Sequence, residues 1–457
     1  MIRIFNYFLI ILIFLINHSA YAKDLLITNA KLVIDEKTFK EYLVYTGKLP
    51  TDYTNNIHEN ITIYQSMGAG GNEPITFFFK DTEADEIRYF LGDTDYVIKN
   101  AEGNWVTSGI FAPFSHLGMA DIGGEDLTND ISSPGSSTTI SEKASDSFNP
   151  QSVFVANNRR HGITHAVISP AASGNSVFAG TGSIVNLTGN YNSVVKERAF
   201  VLAQLGEKGT QYSGGSRSAS LLQLKEGLDT ANCNNDRTCR NSLERAINNI
   251  NKNSYISNSE SEFLKRVIRG NIPLIISVER AIDIIRVINL KKTFERLDII
   301  LLGASEAWKV AEQIAENNIK VMIDPHNNLP SSFETVDSSL KNIIILDEAG
   351  ADYAIANLSA LGLQGIGTLT QHAGNAVANG LDWDKAFAAI TSTPASWFNL
   401  SLINNSLVIW DGDPLNVTST PTSMFINGQE QSLESRQTLL RDRYNPVNET
   451  EKAYKYR

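Results

Sequence analysis

The chain has only two cysteines and seven histidines, and no block of lysine and arginine stands out in it. Each shortage narrows what it can be. Cys233 and Cys239 are too few for a cysteine-rich zinc module, and the five residues between them do not make the Cys-x-x-Cys spacing of redox catalysts. An even count in an exported chain leaves two readings, a small Cys233–Cys239 disulfide loop or two free thiols, and an oxidising compartment favours the loop. With no basic cluster and a formal net charge of −11, nucleic acid and anionic membranes are not expected partners. Beyond Ala22 no apolar run reaches the roughly 20 residues that a membrane-spanning helix needs.

What is present begins with an export signal. Arg3 supplies a positive n-region, Phe8 to Ile16 is an unbroken apolar run, and Ala20-Tyr21-Ala22 offers the small-x-small pattern of a signal peptidase site. An uncleaved N-terminal anchor is the alternative. The expected mature chain starts at Lys23, in a secreted or periplasmic location. Arg3 is the only charged residue removed, so 38 basic side chains face 50 acidic ones.

From 23 to 105 the pattern is one of strands and turns. Asp24 to Val33 reads as a strand, and Ile61 to Met67 and Thr76 to Lys80 are further candidates, separated by Gly68-Ala69-Gly70-Gly71. Ser132 to Asn149 reads as a long polar loop. From Gly162 onward strands alternate with helices. Ile163 to Ser169, Ala199 to Leu205, Pro273 to Ser277, Leu297 to Leu302 and Lys320 to Ile323 are strand-like. Ser218 to Leu228, Arg240 to Ile250, Ser259 to Arg269, Arg280 to Leu290 and Glu306 to Asn317 are helix-like. After Gly367 come two helices, Thr368 to Asn379 and Asp384 to Thr393, and then strands at Ser406 to Trp410 and Ser423 to Gly428.

Such alternation implies a parallel sheet with right-handed crossovers. The number of units fits a closed barrel better than an open sheet. The expected fold class is therefore α/β, a (β/α)8 TIM-type barrel over 106–400. A small composite β domain is expected from both ends of the mature chain, 23–105 and 401–435, followed by a charged tail at 436–457.

Several stretches carry a family resemblance. Tyr96 to Gly109 resembles a strand pair leading into a barrel, and Gly380-Leu381-Asp382-Trp383 with Thr391-Ser392-Thr393-Pro394-Ala395 resembles the helix pair after a last barrel strand. Val408-Ile409-Trp410-Asp411-Gly412-Asp413-Pro414-Leu415 is the most specific piece. Together they resemble the amidohydrolase superfamily, in particular its imidazolonepropionase-like branch. The resemblance implies a hydrolase of carbon–nitrogen bonds, with one or two divalent metals bound at the C-terminal strand ends. The metal would activate a water and polarise the scissile carbonyl.

The positions that the resemblance would assign to metal ligands are mostly occupied by other residues. In Ile110 to Gly118 a His-x-His is replaced by Phe114 and His116, so one imidazole is left. Ser277, Leu302 and Asn357 stand where a fifth-strand histidine, a sixth-strand histidine and a last-strand aspartate are implied, and a bridging lysine would fall near Asn186. Phenylalanine and leucine cannot ligate. No cofactor is therefore expected, the alternative being one divalent metal such as zinc.

Other residues stay open. A rebuilt site from His116, Asp324 and His326 competes with ordinary polar roles for all three. Ser169 to Asn175 and Phe178 to Ser183 read as a Gly- and Ser-rich loop, which either turns the chain or cradles an anion. Two functions follow. One is an exported amidohydrolase with an unorthodox site, acting on small amides, dipeptides or cyclic ureides. The other is a non-catalytic barrel binding a small molecule or a protein partner, with a homo-oligomer left open.

Overall fold

The computed structural model describes residues 23–34, 43, 57–67, 74–80, 87, 96–122, 125–135, 140–233, 258–359 and 366–444. The segments 1–22, Gly68 to Gly71, Cys239, Arg240 to Ile250 and 445–457, for which expectations were given above, lie outside them. Among the described residues no helix is long and apolar enough to cross a membrane.

The chain divides into two compact units. One runs to Ile110 and takes in Asn399–Leu433, and the other comprises Phe111–Phe398 with the residues from Glu434 onward. In the first unit, β1 (Asp24–Val33), β2 (Ile57–Ser66), β3 (Ile75–Lys80), β4 (Tyr96–Asn100) and β5 (Trp105–Ser108) join three late strands. These are β14 (Ser406–Trp410), β15 (Pro421–Ile426) and β16 (Gln429–Glu430), and the sheet order is β16-β15-β14-β5-β1-β2-β3, with β4 on β1. Alternating apolar residues explain the pairing: Leu25, Ile27, Leu32, Ile61, Ile63, Phe78, Val106, Leu407, Ile409 and Phe425 form one buried core. Polar groups buried with them are bonded. Trp410 Nε1 donates to Thr107 Oγ1 at 2.9 Å, and Gln65 Nε2 donates to the Asn404 carbonyl at 2.7 Å.

The second unit is a mixed α/β structure around a nearly closed eight-stranded barrel, β6 (Ile110–Ser115), β7 (Ile163–Ile168), β8 (Phe178–Asn186), β9 (Val194–Gln204), β10 (Leu274–Val278), β11 (Ile299–Gly303), β12 (Lys320–Ile323) and β13 (Tyr353–Ile355). The strands β9 to β13 are parallel, as the alternation implied. Helix α1 (Arg217–Asn232) begins at Ser216, whose side chain accepts from the Ala219 N–H, and α2 (Asn258–Ile268) follows before β10. Helix α3 (Ala281–Thr293) connects β10 to β11. The first and last strands do not pair directly. The segment at Ala389 and Ile390 fills the seam, accepting from the Ile355 N–H and the Phe111 N–H at 2.9 Å each.

Two features depart from the sequence-based expectation. The strand β8 is antiparallel to both of its neighbours, so the barrel is not a uniform (β/α)8 repeat. Its residues Phe178 to Ser183 are the Gly-rich run expected to be a loop, and all of them are buried. A Cβ on Gly182 would lie 1.8 Å from the Phe200 ring, so this glycine makes room for an aromatic on β9. That packing role excludes an anion cradle over these six residues. In addition, Arg436–Tyr444, expected as a tail, is helical and contacts the helix at Val153–Arg159.

Candidate functional site

The C-terminal ends of the parallel strands define the barrel mouth, where enzymes of this architecture place their chemistry. The register sets one layer of paired residues across five strands there: Gln204, Ser277, Leu302, Met322 and Ala354. Leu302 and Met322 are buried, and Gln204 Nε2 donates to Ser277 Oγ at 2.9 Å. This layer holds no imidazole and no carboxylate. Phe114, on β6, packs edge-on against His116 with ring centroids 5.6 Å apart.

His116 follows β6. Its Nδ1 lies 2.5 Å from the Ser169 carbonyl, so Nδ1 carries the proton and Nε2 is left as acceptor in the neutral ring. Burial pushes its pKa down; the Ser169 bond opposes this and the nearby Lys208 charge adds to it. Among the described residues His116 makes no hydrogen bond to Asp324 or His326. Asp324 and the His326 backbone are bonded to each other, and His116 is held separately by Ser169.

The residue that joins Asp324 is His372, in the first turn of α4 (Leu369–Ala378). Its Nδ1 lies 3.0 Å from Asp324 Oδ1. The same carboxylate accepts from the His326 N–H at 3.0 Å and the Leu358 N–H at 3.1 Å. Burial alone would raise the Asp324 pKa, but the bonds and charge of His372, with the two backbone donors, hold it below its ordinary value. The His326 ring lies beside that of His372, centroids 5.4 Å apart.

Asn357 does follow β13 at the mouth end, with its Nδ2 donating to Thr368 Oγ1 and its Oδ1 accepting from the Ser359 N–H, each at 3.0 Å. Asn186 does not belong there. It pairs with His165 near the start of β7, whereas Ser169, beyond the other end of β7, bonds Ser115 and His116. An antiparallel β8 reverses the ends, so Asn186 lies at the opposite end of the barrel. His165 itself is fully enclosed on β7, and burial pushes its pKa down to about 4.

Three charged groups at the mouth carry no sequence signature. Glu279 follows β10 and accepts from the Ser305 N–H at 3.1 Å and the Ser305 hydroxyl at 2.6 Å. Burial raises its pKa, and the Ser305 bonds and the Lys208 charge only partly offset this. Glu334, buried on the loop after β12, accepts from Arg217 at 2.7 and 3.1 Å and from the Glu207 N–H at 2.7 Å. Gly206, at φ +68°, permits that approach, since a Cβ there would lie 2.6 Å from Glu334 Oε2.

Can these residues hold a divalent metal? Among the described residues, no group of three or more His, Cys, Asp or Glu side chains is arranged to do so. His116 offers one free nitrogen, and the Asp324 oxygens are engaged by three protein donors. The donor set does not fit the two-metal or one-metal centre that the resemblance implies. Cys233 is not a free thiol, and Cys239 lies outside the described residues.

No protein-family model matches the sequence, and no curated protein sequence matches it. Solved structures do. An amidohydrolase from Thermotoga maritima MSB8 superposes with a TM-score of 0.68 at 20% identity, covering 89% of this chain and 99% of that one. An N-isopropylammelide isopropylaminohydrolase from Burkholderia multivorans gives 0.45 at 11% identity, covering 90% and 98%. An enamidase described as an amidohydrolase-superfamily member gives 0.45 at 13%, covering 91% and 97%. At these identities the likeness is one of fold, and only the first superposition is close enough to carry it. This chain therefore shares the fold of the Thermotoga amidohydrolase.

Proposed function

We propose that this chain is an exported relative of the imidazolonepropionase-like amidohydrolases whose divalent centre has been replaced. In this reading it binds a small molecule in the barrel mouth rather than hydrolysing it through a metal. The Gln204, Ser277, Leu302, Met322 and Ala354 layer carries the reading. A metal hydrolase needs imidazole or carboxylate at strand ends, and here the apolar side chains of Leu302 and Met322 fill part of that level. The N-terminal Arg3, apolar run and Ala20-Tyr21-Ala22 support a secreted or periplasmic location, and the two ends of the mature chain supply a composite β domain.

The second reading is a hydrolase of carbon–nitrogen bonds, favoured by the fold shared with the Thermotoga amidohydrolase. The two separate in one experiment. Signal-free protein supplied with zinc, manganese or iron is offered small amides, dipeptides and cyclic ureides. Binding by calorimetry without metal-dependent turnover is the expected result. Turnover that appears with metal and vanishes on chelation would establish the second reading instead.

A further inference from the structure

A side-chain pair in the mouth has a chemistry that the binding reading does not use. Asp324 follows β12, and its carboxylate is fixed by three donors: the His372 ring, the His326 N–H and the Leu358 N–H. A carboxylate only accepts, so Nδ1 of His372 carries the proton and Nε2 is the basic nitrogen of the neutral ring. Both side chains are about a tenth exposed, so the hydrogen bond between them is largely shielded from water. Among the described residues no hydrogen-bond partner meets Nε2 of His372, and the facing groups are Asp324 and the His326 ring.

This arrangement orients an imidazole for proton transfer without a metal and without a side-chain nucleophile. The loop that continues from His326 leaves Leu329, Phe333 and Val336 exposed at 77%, 90% and 58%. Its charged members are already paired, Glu334 with Arg217 and Asp337 with Lys309.

We propose that His372, positioned by Asp324, is the general base of a metal-independent hydrolysis of small carboxylic esters. Nε2 takes a proton from water as the water oxygen bonds to the ester carbonyl carbon and the carbonyl electron pair moves onto its oxygen. Collapse of the tetrahedral adduct breaks the carbon–oxygen bond, and the departing alkoxide takes the proton back from Nε2. Ester and water become acid and alcohol, and the acid gives its own proton to solvent. Asp324 keeps its charge throughout and offsets that of the transient imidazolium. Esters fit better than amides because an alkoxide leaves without the strong polarisation of the carbonyl that a metal provides.

The test uses full-length signal-free protein, dialysed against chelator, with p-nitrophenyl butyrate as probe and an equal concentration of free imidazole as background. The expected result is turnover above that background that survives chelation and rises with pH through one inflection. His372→Gln then lowers kcat/KM by about 100-fold. Asp324→Asn, a change at a positioning residue, gives a smaller loss that falls on kcat and leaves KM unchanged. Should His372→Gln fail to fold, a solvent deuterium isotope effect above unity on native turnover is the expected substitute, and its absence counts against the proposal. Turnover no greater than free imidazole, or unchanged in a folded His372→Gln, overturns this inference and leaves the binding reading standing. Turnover lost on chelation overturns both.

Discussion

The mouth loop that carries Asp324 and His326 is held in part by a buried carboxylate, Glu334, and breaking that hold has a calculable cost. Glu334 is 4% exposed at its side chain and takes two bonds from Arg217 and one from the Glu207 N–H. Removing one partner of a fully buried pair costs about 3–5 kcal/mol, because the remaining charge is stranded. Here the Arg217 side chain is 35% exposed and the Glu207 N–H remains, so Arg217→Met should cost less, about 2 kcal/mol. That corresponds to a fall in Tm of roughly 2 °C for a chain of this length. Glu334→Gln alone should cost a similar amount, because an amide nitrogen would then face the guanidinium. The two changes together should cost less than their sum by at least about 1 kcal/mol, the coupling expected of groups in direct contact. Thermal melting followed by fluorescence, with the double-mutant cycle, measures this. An Arg217→Met protein that melts with the parent, or strictly additive losses, would refute the reasoning.

Two more predictions follow from enclosed groups. His165 has a folded pKa near 4, below its unfolded value of about 6.5, so its contribution is fully present above pH 6.5 and is lost as pH falls toward 4. Urea unfolding should lose about 3 kcal/mol over that window, and His165→Gln should flatten the slope; equal slopes would remove His165 as the cause. Gly182→Ala drives a methyl into the Phe200 ring on a fully buried strand and should cost about 1–3 kcal/mol in the same assay. A second change, Phe200→Leu, should recover part of that loss, and no recovery would mean that the contact is not what Gly182 serves.

Most of the parallel part of the barrel was legible because a buried strand followed by an amphipathic helix leaves a double period in the sequence. The stretches at Pro273–Ser277, Leu297–Leu302 and Lys320–Ile323 needed no other information. The strand β8 was not legible, since Gly180 and Gly182 read as breakers unless Phe200 is known to lie across them. The resemblance placed Asn186 at the mouth, and the antiparallel course of β8 puts it at the other end. At the site, Asp324 and His326 stood out as polar residues just after a strand. His372 lies 48 residues from Asp324, and the contact between them is a product of the closed barrel. Glu279, Glu334 and Arg217 are ordinary charges in sequence; only the geometry shows that the two carboxylates are enclosed and that Arg217 bonds Glu334.

The central claim, that the mouth has given up its divalent centre, is tested most directly by metal content. Signal-free protein expressed with zinc, manganese or iron supplied, purified mildly, is analysed by mass spectrometry alongside His116→Ala. The account predicts metal far below one equivalent under every supply and no difference between the two proteins. Near-stoichiometric metal that disappears in His116→Ala would contradict it.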